Sequence, residues 1–367
     1  MLRSRPFSFI TTAAALLVVA PFVLHAQTRM LRTPTVSKTQ IAFAYANNIW
    51  TVDRSGGIAR RLTSFQGTTE NPRFSPDGKL IAFSASYGGN EDVYVIPAEG
   101  GEPKRLTWHP GPDQVQGWAP DGKSIVFNST RATWAPTAAP RFWTVPVDGG
   151  PETPMILPRA FQGKISPDGR RVAYRMNNSW DEERRNYRGG KNRPIWIIDL
   201  KTFDLDTTPN TTTDLVVAQA AGPRGSSHFS SPSVPESKNM EPVWIGNEVV
   251  DFLSDRDGVS NVWSYDTKSK KLTQLTSYSD YDVKTIDSEF DGSSVVFEQG
   301  GYIHLMDTKS GKEHVVNITA AGDFAWMMPQ WKDVSASMSN LALSPTGKRL
   351  AVEARGEIFT IPADKGD

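Results

Sequence analysis

The chain has 367 residues, room for one large or two ordinary domains, with 38% hydrophobic and 22% charged residues, a mix that fills a core and excludes a disordered polyelectrolyte. Lys plus Arg and Asp plus Glu number 40 each, so the charge balance gives no basic surface for a nucleic-acid partner. Cysteine is absent, which excludes disulfides, a thiolate metal site, a cysteine nucleophile and a cysteine-borne lipid anchor.

Residues 1–26 read as a secretory signal peptide. Arg3 and Arg5 precede an apolar stretch from Phe7 to Leu24, and His25-Ala26-Gln27 offers a cleavage point after a small residue. An uncleaved membrane anchor is the alternative; Pro21 and the short apolar run favour cleavage. The expected location is periplasmic or secreted.

The remainder is repetitive. Ser75-Pro76-Asp77-Gly78-Lys79 recurs as Ala119-Pro120-Asp121-Gly122-Lys123, Ser166-Pro167-Asp168-Gly169-Arg170 and Ser344-Pro345-Thr346-Gly347-Lys348, with a worn copy at Phe290-Asp291-Gly292. Gly78 to Gly122 is 44 residues and Gly122 to Gly169 is 47, the period of a four-stranded propeller blade. Pro presets the first corner of the turn, Asp bonds its own backbone, and Gly takes the left-handed conformation. A β-rich run follows each turn, as in Leu80-Ile81-Ala82-Phe83 and Val295-Val296-Phe297. A third strand comes next, such as Asp92-Val93-Tyr94-Val95-Ile96, then a Gly-Gly hairpin and a polar fourth strand suited to an outer edge.

These signals predict an all-β fold: a six-bladed β-propeller of four-stranded antiparallel blades over 27–316, plus the first, incomplete blade of a second propeller. The six units fall near 31–64, 69–109, 114–156, 160–204, 240–277 and 281–316. A low-complexity insertion, 207–239, separates the fourth from the fifth. An aperiodic linker at 317–338 precedes the truncated start at 339–367. One seven-bladed ring is the rival count.

No complete catalytic constellation is legible. His109, His228, His304 and His314 share no metal-ligand spacing, and His304 reads as a half-buried strand residue. There is no Gly-x-Ser-x-Gly elbow, and Ser226-Ser227-His228 sits in the low-complexity insertion. Tyr187-Arg188-Gly189-Gly190-Lys191 opens a strand rather than a helix, so it lacks the logic of a phosphate cradle. Asp255-Arg256-Asp257-Gly258 lacks the further ligands of a calcium loop and reads as a turn. Trp118, Trp143, Trp196, Trp244 and Trp263 read as packing residues at equivalent strand positions rather than a sugar platform. No residue is assigned a catalytic, cofactor-binding or metal role, and no cofactor is expected.

Longer stretches carry a resemblance. The Ser-Pro-Asp-Gly repeats with Gly-Gly hairpins resemble the propellers of the TolB and tricorn protease group. Trp180 to Trp196, with Tyr187-Arg188-Gly189-Gly190 and Pro194-Ile195-Trp196-Ile197, is similar to the fourth blade of tricorn-like propellers, as is Trp244-Ile245-Gly246 with Phe252 to Gly258. Tyr281-Asp282-Val283-Lys284 and Phe297 to Ile303 resemble their sixth blade. Leu343 to Arg349 with Glu353 to Phe359 resembles the first blade of their second propeller.

Tricorn-like proteases are serine peptidases built from a six-bladed propeller, a seven-bladed propeller, a PDZ-like module and a catalytic domain. The resemblance implies a non-catalytic propeller portion that gates or binds peptides, with the catalytic residues beyond Asp367. The implied partners are peptides or unfolded protein segments, the downstream peptidase domains of the same polypeptide, and further copies of the chain in a homo-oligomer. The insertion at 207–239 departs from the family pattern. A stand-alone periplasmic TolB-like binding propeller is the alternative. A prolyl-oligopeptidase-like propeller, requiring a downstream Gly-x-Ser-x-Gly elbow, is a third reading.

Overall fold

Short β-rich runs, buried nearly throughout in the second strands, make strands of every repeat. The computed structural model describes residues 27–131, 139–176, 192, 194–208, 237–324, 328–329 and 331–365. They divide into two compact units, one ending at Ala321 and one beginning at Gly322.

The first unit holds six four-stranded antiparallel blades. Blade one is β1 (Arg32–Val36), β2 (Gln40–Tyr45), β3 (Asn48–Asp53) and β4 (Gly57–Arg61). Blade two is β5 (Thr69–Phe74), β6 (Leu80–Ala85), β7 (Asp92–Pro97) and β8 (Lys104–Arg105). Blade three is β9 (Asp113–Trp118), β10 (Ser124–Ser129), β11 (Arg141–Pro146) and β12 (Thr153–Pro154). Blade four is β13 (Gln162–Ile165), β14 (Arg171–Arg175), β15 (Trp196–Asp199) and β16 (Leu205–Thr207). Blade five is β17 (Asn239–Ile245), β18 (Val249–Ser254), β19 (Asn261–Asp266) and β20 (Leu272–Gln274). Blade six is β21 (Val283–Ser288), β22 (Ser294–Gln299), β23 (Tyr302–Asp307) and β24 (Glu313–Val315). The blade boundaries agree with the repeat spacing. Most of the insertion read at 207–239 lies outside the described residues.

The first strands pack on one another in order, and β1 packs against both β5 and β21, so the ring closes. Closure uses no shared blade, because β1 pairs with β2 of its own blade. Instead β25 (Ile318–Ala320) leaves blade six and adds in parallel to the outer edge of β4. Thr28 N donates to Ile318 O at 2.8 Å and Met30 N to Gly301 O at 2.9 Å, tying the chain entry to the last blade. This strand lies in the stretch read as aperiodic. Its three residues repeat nothing, and its partner lies some 260 positions earlier in the chain.

Each second strand carries a buried aromatic facing a third-strand partner: Phe43 with Trp50, Phe83 with Tyr94, Phe127 with Trp143, Tyr174 with Trp196, Phe252 with Trp263 and Phe297 with His304. These rings fill the seams between blades. The seam of blades one and two, for example, joins Ile49, Ile81, Phe83 and Tyr94. Burial of each such side chain stabilises by about 1.5–3 kcal/mol.

Two polar devices recur. At the turns, Ser75 Oγ accepts from Leu80 N at 2.9 Å and donates to Asp77 Oδ1 at 2.7 Å, and Lys79 N caps the same carboxylate at 3.1 Å. Ser166, Asp168 and Arg170 repeat this. At the outer edge a buried threonine closes the third-to-fourth strand hairpin. Thr63, Thr107, Thr208 and Thr276 accept from the amides of Ile49, Val93, Ile195 and Val262 at 2.9–3.0 Å.

The second unit is a three-stranded meander of β26 (Met338–Leu343), β27 (Arg349–Ala354) and β28 (Glu357–Pro362), an incomplete blade. Its turn repeats the Ser-x-x-Gly design, with Arg349 N donating to Ser344 Oγ at 3.1 Å.

Candidate functional site

The six first strands ring an axis, and register assigns one residue per blade to each layer. Thr35, Arg73, Gly117, Lys164, Val243 and Asp287 stand opposite Ala42, Ala82, Val126, Ala173, Asp251 and Val296 of the second strands. The next layer toward the turns is Val36, Phe74, Trp118, Ile165, Trp244 and Ser288. Blades are stitched here by hydrogen bonds to the preceding blade. Trp118 Nε1 donates to Arg73 O at 2.9 Å, Trp244 Nε1 to Lys164 O at 3.0 Å, and Ser288 Oγ to Trp244 O at 3.0 Å.

A cavity of about 200 Å³ lies on this axis, bounded by the two layers and by the Ser-Pro-Asp-Gly type turns. Its chemistry sits in the first layer. Lys164 Nζ lies 3.0 Å from Asp287 Oδ1, and Arg73 Nε lies 3.9 Å from Asp287 Oδ2. Burial pulls the Lys164 ammonium down to about 8, against the opposing pull of Asp287. Burial alone would raise the Asp287 carboxyl, but Lys164 and Arg73 beside it hold it below the usual carboxylate value. At neutral pH the layer therefore holds two cations and one carboxylate. The arrangement can bind and orient a polar group on the axis.

The rim is acidic but occupied. Glu289 accepts from Arg54 Nη1 at 2.7 Å and Ser294 Oγ at 2.9 Å. Asp77 is held below its ordinary value by the Ser75 hydroxyl and the Lys79 amide. On the opposite face, Glu91 accepts from Gln114 Nε2 at 3.0 Å, and burial lifts its carboxyl to about 7.

Of the candidate residues that the structure describes, Trp118 and Trp244 line this pocket, whereas His109, His304, His314 and the Asp255 to Gly258 turn do not. His304 is 5% exposed, stacks on Phe297 with centroids 5.1 Å apart, and bonds Tyr278 Oη at 3.1 Å. It occupies the aromatic position that tryptophan fills in four other blades. His109 Nδ1 accepts from Gly111 N at 3.0 Å in a loop, and His314 is exposed on β24. Asp255 and Gly258 close a turn, with Gly258 N donating to Asp255 O at 2.8 Å. Ser226-Ser227-His228 and Tyr187 to Lys191 lie outside the described residues.

One sequence reading is corrected. The five tryptophans are not equivalent: Trp143, Trp196 and Trp263 are third-strand partners of second-strand aromatics, whereas Trp118 ends β9, Trp244 is the penultimate residue of β17, and both reach the pocket wall. The repeat hides this because both sites reward a large ring at a blade seam. Arg73, Lys164 and Asp287 were not anticipated. Their signal is positional: each lies two residues before the first residue of its turn, Ser75, Ser166 or Glu289.

Against known proteins, the family model described as the tricorn protease N-terminal beta propeller domain matches residues 28–219 and 219–312. The tricorn protease of Thermoplasma acidophilum is 28% identical over 340 residues, covering 90% of this chain and 28% of that protein. A tricorn protease homolog of Saccharolobus solfataricus is 25% identical over 336 residues, covering 89% and 28%. The crystal structure of the tricorn protease superposes with a TM-score of 0.65 at 24% identity, covering 90% of this chain and 30% of that one. The chain thus spans less than a third of these relatives' length. With the family model matching most of the chain over a closed six-bladed ring, the chain belongs to the tricorn protease N-terminal β-propeller family.

Proposed function

We propose that this chain is the non-catalytic propeller portion of an exported tricorn-like serine peptidase, and that its axial channel binds and passes peptides for proteolysis by domains outside it. The observation that carries the reading is the polar first layer on the axis of a ring whose family relatives are named proteases. A channel walled by hydrogen-bonded blades stays rigid, while Arg73, Lys164 and Asp287 offer charge to a passing backbone. The arginine-led apolar stretch at residues 1–26 supports export to the periplasm or beyond.

The test is binding of fluorescein-labelled unstructured peptides by anisotropy, with Gly117→Trp as the channel block. A Cβ at Gly117 would stand 3.3 Å from the Lys164 side chain, so an indole there fills the axis. Loss of binding with an unchanged circular dichroism spectrum is expected. Undiminished binding to the blocked variant contradicts axial passage.

A further inference from the structure

The first layer of the axial pocket leaves one buried cationic donor without a hydrogen bond among the described residues. Arg73 enters from blade two, Lys164 from blade four and Asp287 from blade six. Asp287 bonds the lysine at 3.0 Å but stands 3.9 Å from the arginine Nε, beyond hydrogen-bond reach. Arg73 is 7% exposed, its Nη1 donates to Pro72 O at 2.9 Å, and its Nε has no hydrogen-bond partner among the described residues. A buried cationic donor left unmade is costly.

The nearby carboxylates are committed elsewhere. Asp77 serves Ser75 and the Lys79 amide, Asp291 the Ser293 amide, and Glu289 serves Arg54, Ser293 and Ser294. Glu241, which acts on Lys164 through space, accepts from Gln162 Nε2 at 2.5 Å. Arg73 and Lys164 both line the cavity, from blades two and four.

We infer that the axial pocket binds a single carboxylate group, held between the Arg73 guanidinium and the Lys164 ammonium in competition with Asp287. A carboxylate has two oxygens for two charge-assisted donors on different blades, which a spherical halide cannot match. The cavity of about 200 Å³ holds a small carboxylic acid. The ligand would bridge blades two and four across the axis. The site does not depend on peptide passage, since it asks only for an anion at one depth of the channel.

The test is calorimetric titration of the intact chain with sodium acetate at constant ionic strength, with methyl acetate and sodium chloride as comparisons. Acetate is expected to bind saturably, methyl acetate not at all, and chloride more weakly by about tenfold or more. Arg73→Gln and Lys164→Met each weaken acetate by about tenfold. Because these two variants predict weaker binding, which misfolding would also give, Asp287→Asn, shown to be folded by an unchanged circular dichroism spectrum, is the decisive variant. Removing the competing carboxylate tightens acetate binding by about tenfold. Absence of saturable acetate binding in both the wild type and Asp287→Asn overturns the site. Equal affinity for acetate and chloride overturns the carboxylate assignment. Acetate binding that persists where peptide capture fails supports the site and counts against peptide passage alone.

Discussion

Asp251 is the sharpest anomaly in the interior. At the second-strand position paired with the first-strand layer the other blades carry Ala42, Ala82, Val126, Ala173 and Val296, and blade five alone carries a carboxyl. Asp251 is 2% exposed, its Oδ1 has no hydrogen-bond partner among the described residues, and burial lifts its pKa to about 7 against the opposing hydrogen bond of Ser264. The sign follows from proton binding. Between the unfolded value of 3.8 and about 7 the native state holds a proton that the unfolded chain has lost, so stability falls as pH rises through that window. The full loss is about 4 kcal/mol, of which about 3 falls between about pH 5 and about pH 8. Asp251→Asn removes the titration and keeps the shape. Urea unfolding of both proteins at those two pH values should show the variant gaining about 3 kcal/mol on the wild type as pH rises. A stability difference that does not change with pH would refute the argument that this carboxyl is buried without a countercharge.

Other substitutions probe other parts. Asp287→Ala leaves Lys164 and Arg73 facing one another and should cost about 3 kcal/mol in urea unfolding, part of it recovered by adding Lys164→Met. Gly292 has φ +74° and a Cβ there would lie 2.5 Å from Gly246 N, whereas nothing lies near a Cβ at Gly258. Gly292→Ala should therefore lower the melting temperature several degrees more than Gly258→Ala, whose cost is strain of about 1 kcal/mol. Thr276→Val strips the acceptor from Val262 N and the donor to Asn261 Oδ1, a loss of about 2 kcal/mol by the same unfolding assay. Ala320→Pro removes the donor to Thr28 Oγ1 beside the β25–β4 pairing. Hydrogen exchange should then rise at Gly57 to Ala59 and at Thr28, while blade three is unaffected.

Blade number and strand order were legible because each blade repeats one local grammar. The Pro-Asp-Gly turn fixes a hairpin, the run after it is buried on both faces, and the following strands are placed by hairpin glycines. Ring closure was not legible, since Ile318–Ala320 carries no repeat signal and its partner β4 lies at the start of the ring. The pocket was legible only in part. Periodicity marks Arg73, Lys164 and Asp287 as strand residues before a turn, but charge at such a position reads equally as a solvated edge. Their convergence arises from closing the ring, which brings blades two, four and six around one axis. His304 shows the converse: a residue type associated with chemistry fills an aromatic packing position.

The central claim is that this propeller works as part of a larger peptidase. The most direct measurement is the intact mass of the native protein, captured from its source cells with an antibody against the propeller. The account predicts a mass well above the 40.5 kDa of this chain, with catalytic sequence in the same polypeptide. A mass near or slightly below 40.5 kDa, as after loss of residues 1–26, with no co-captured peptidase, would contradict it.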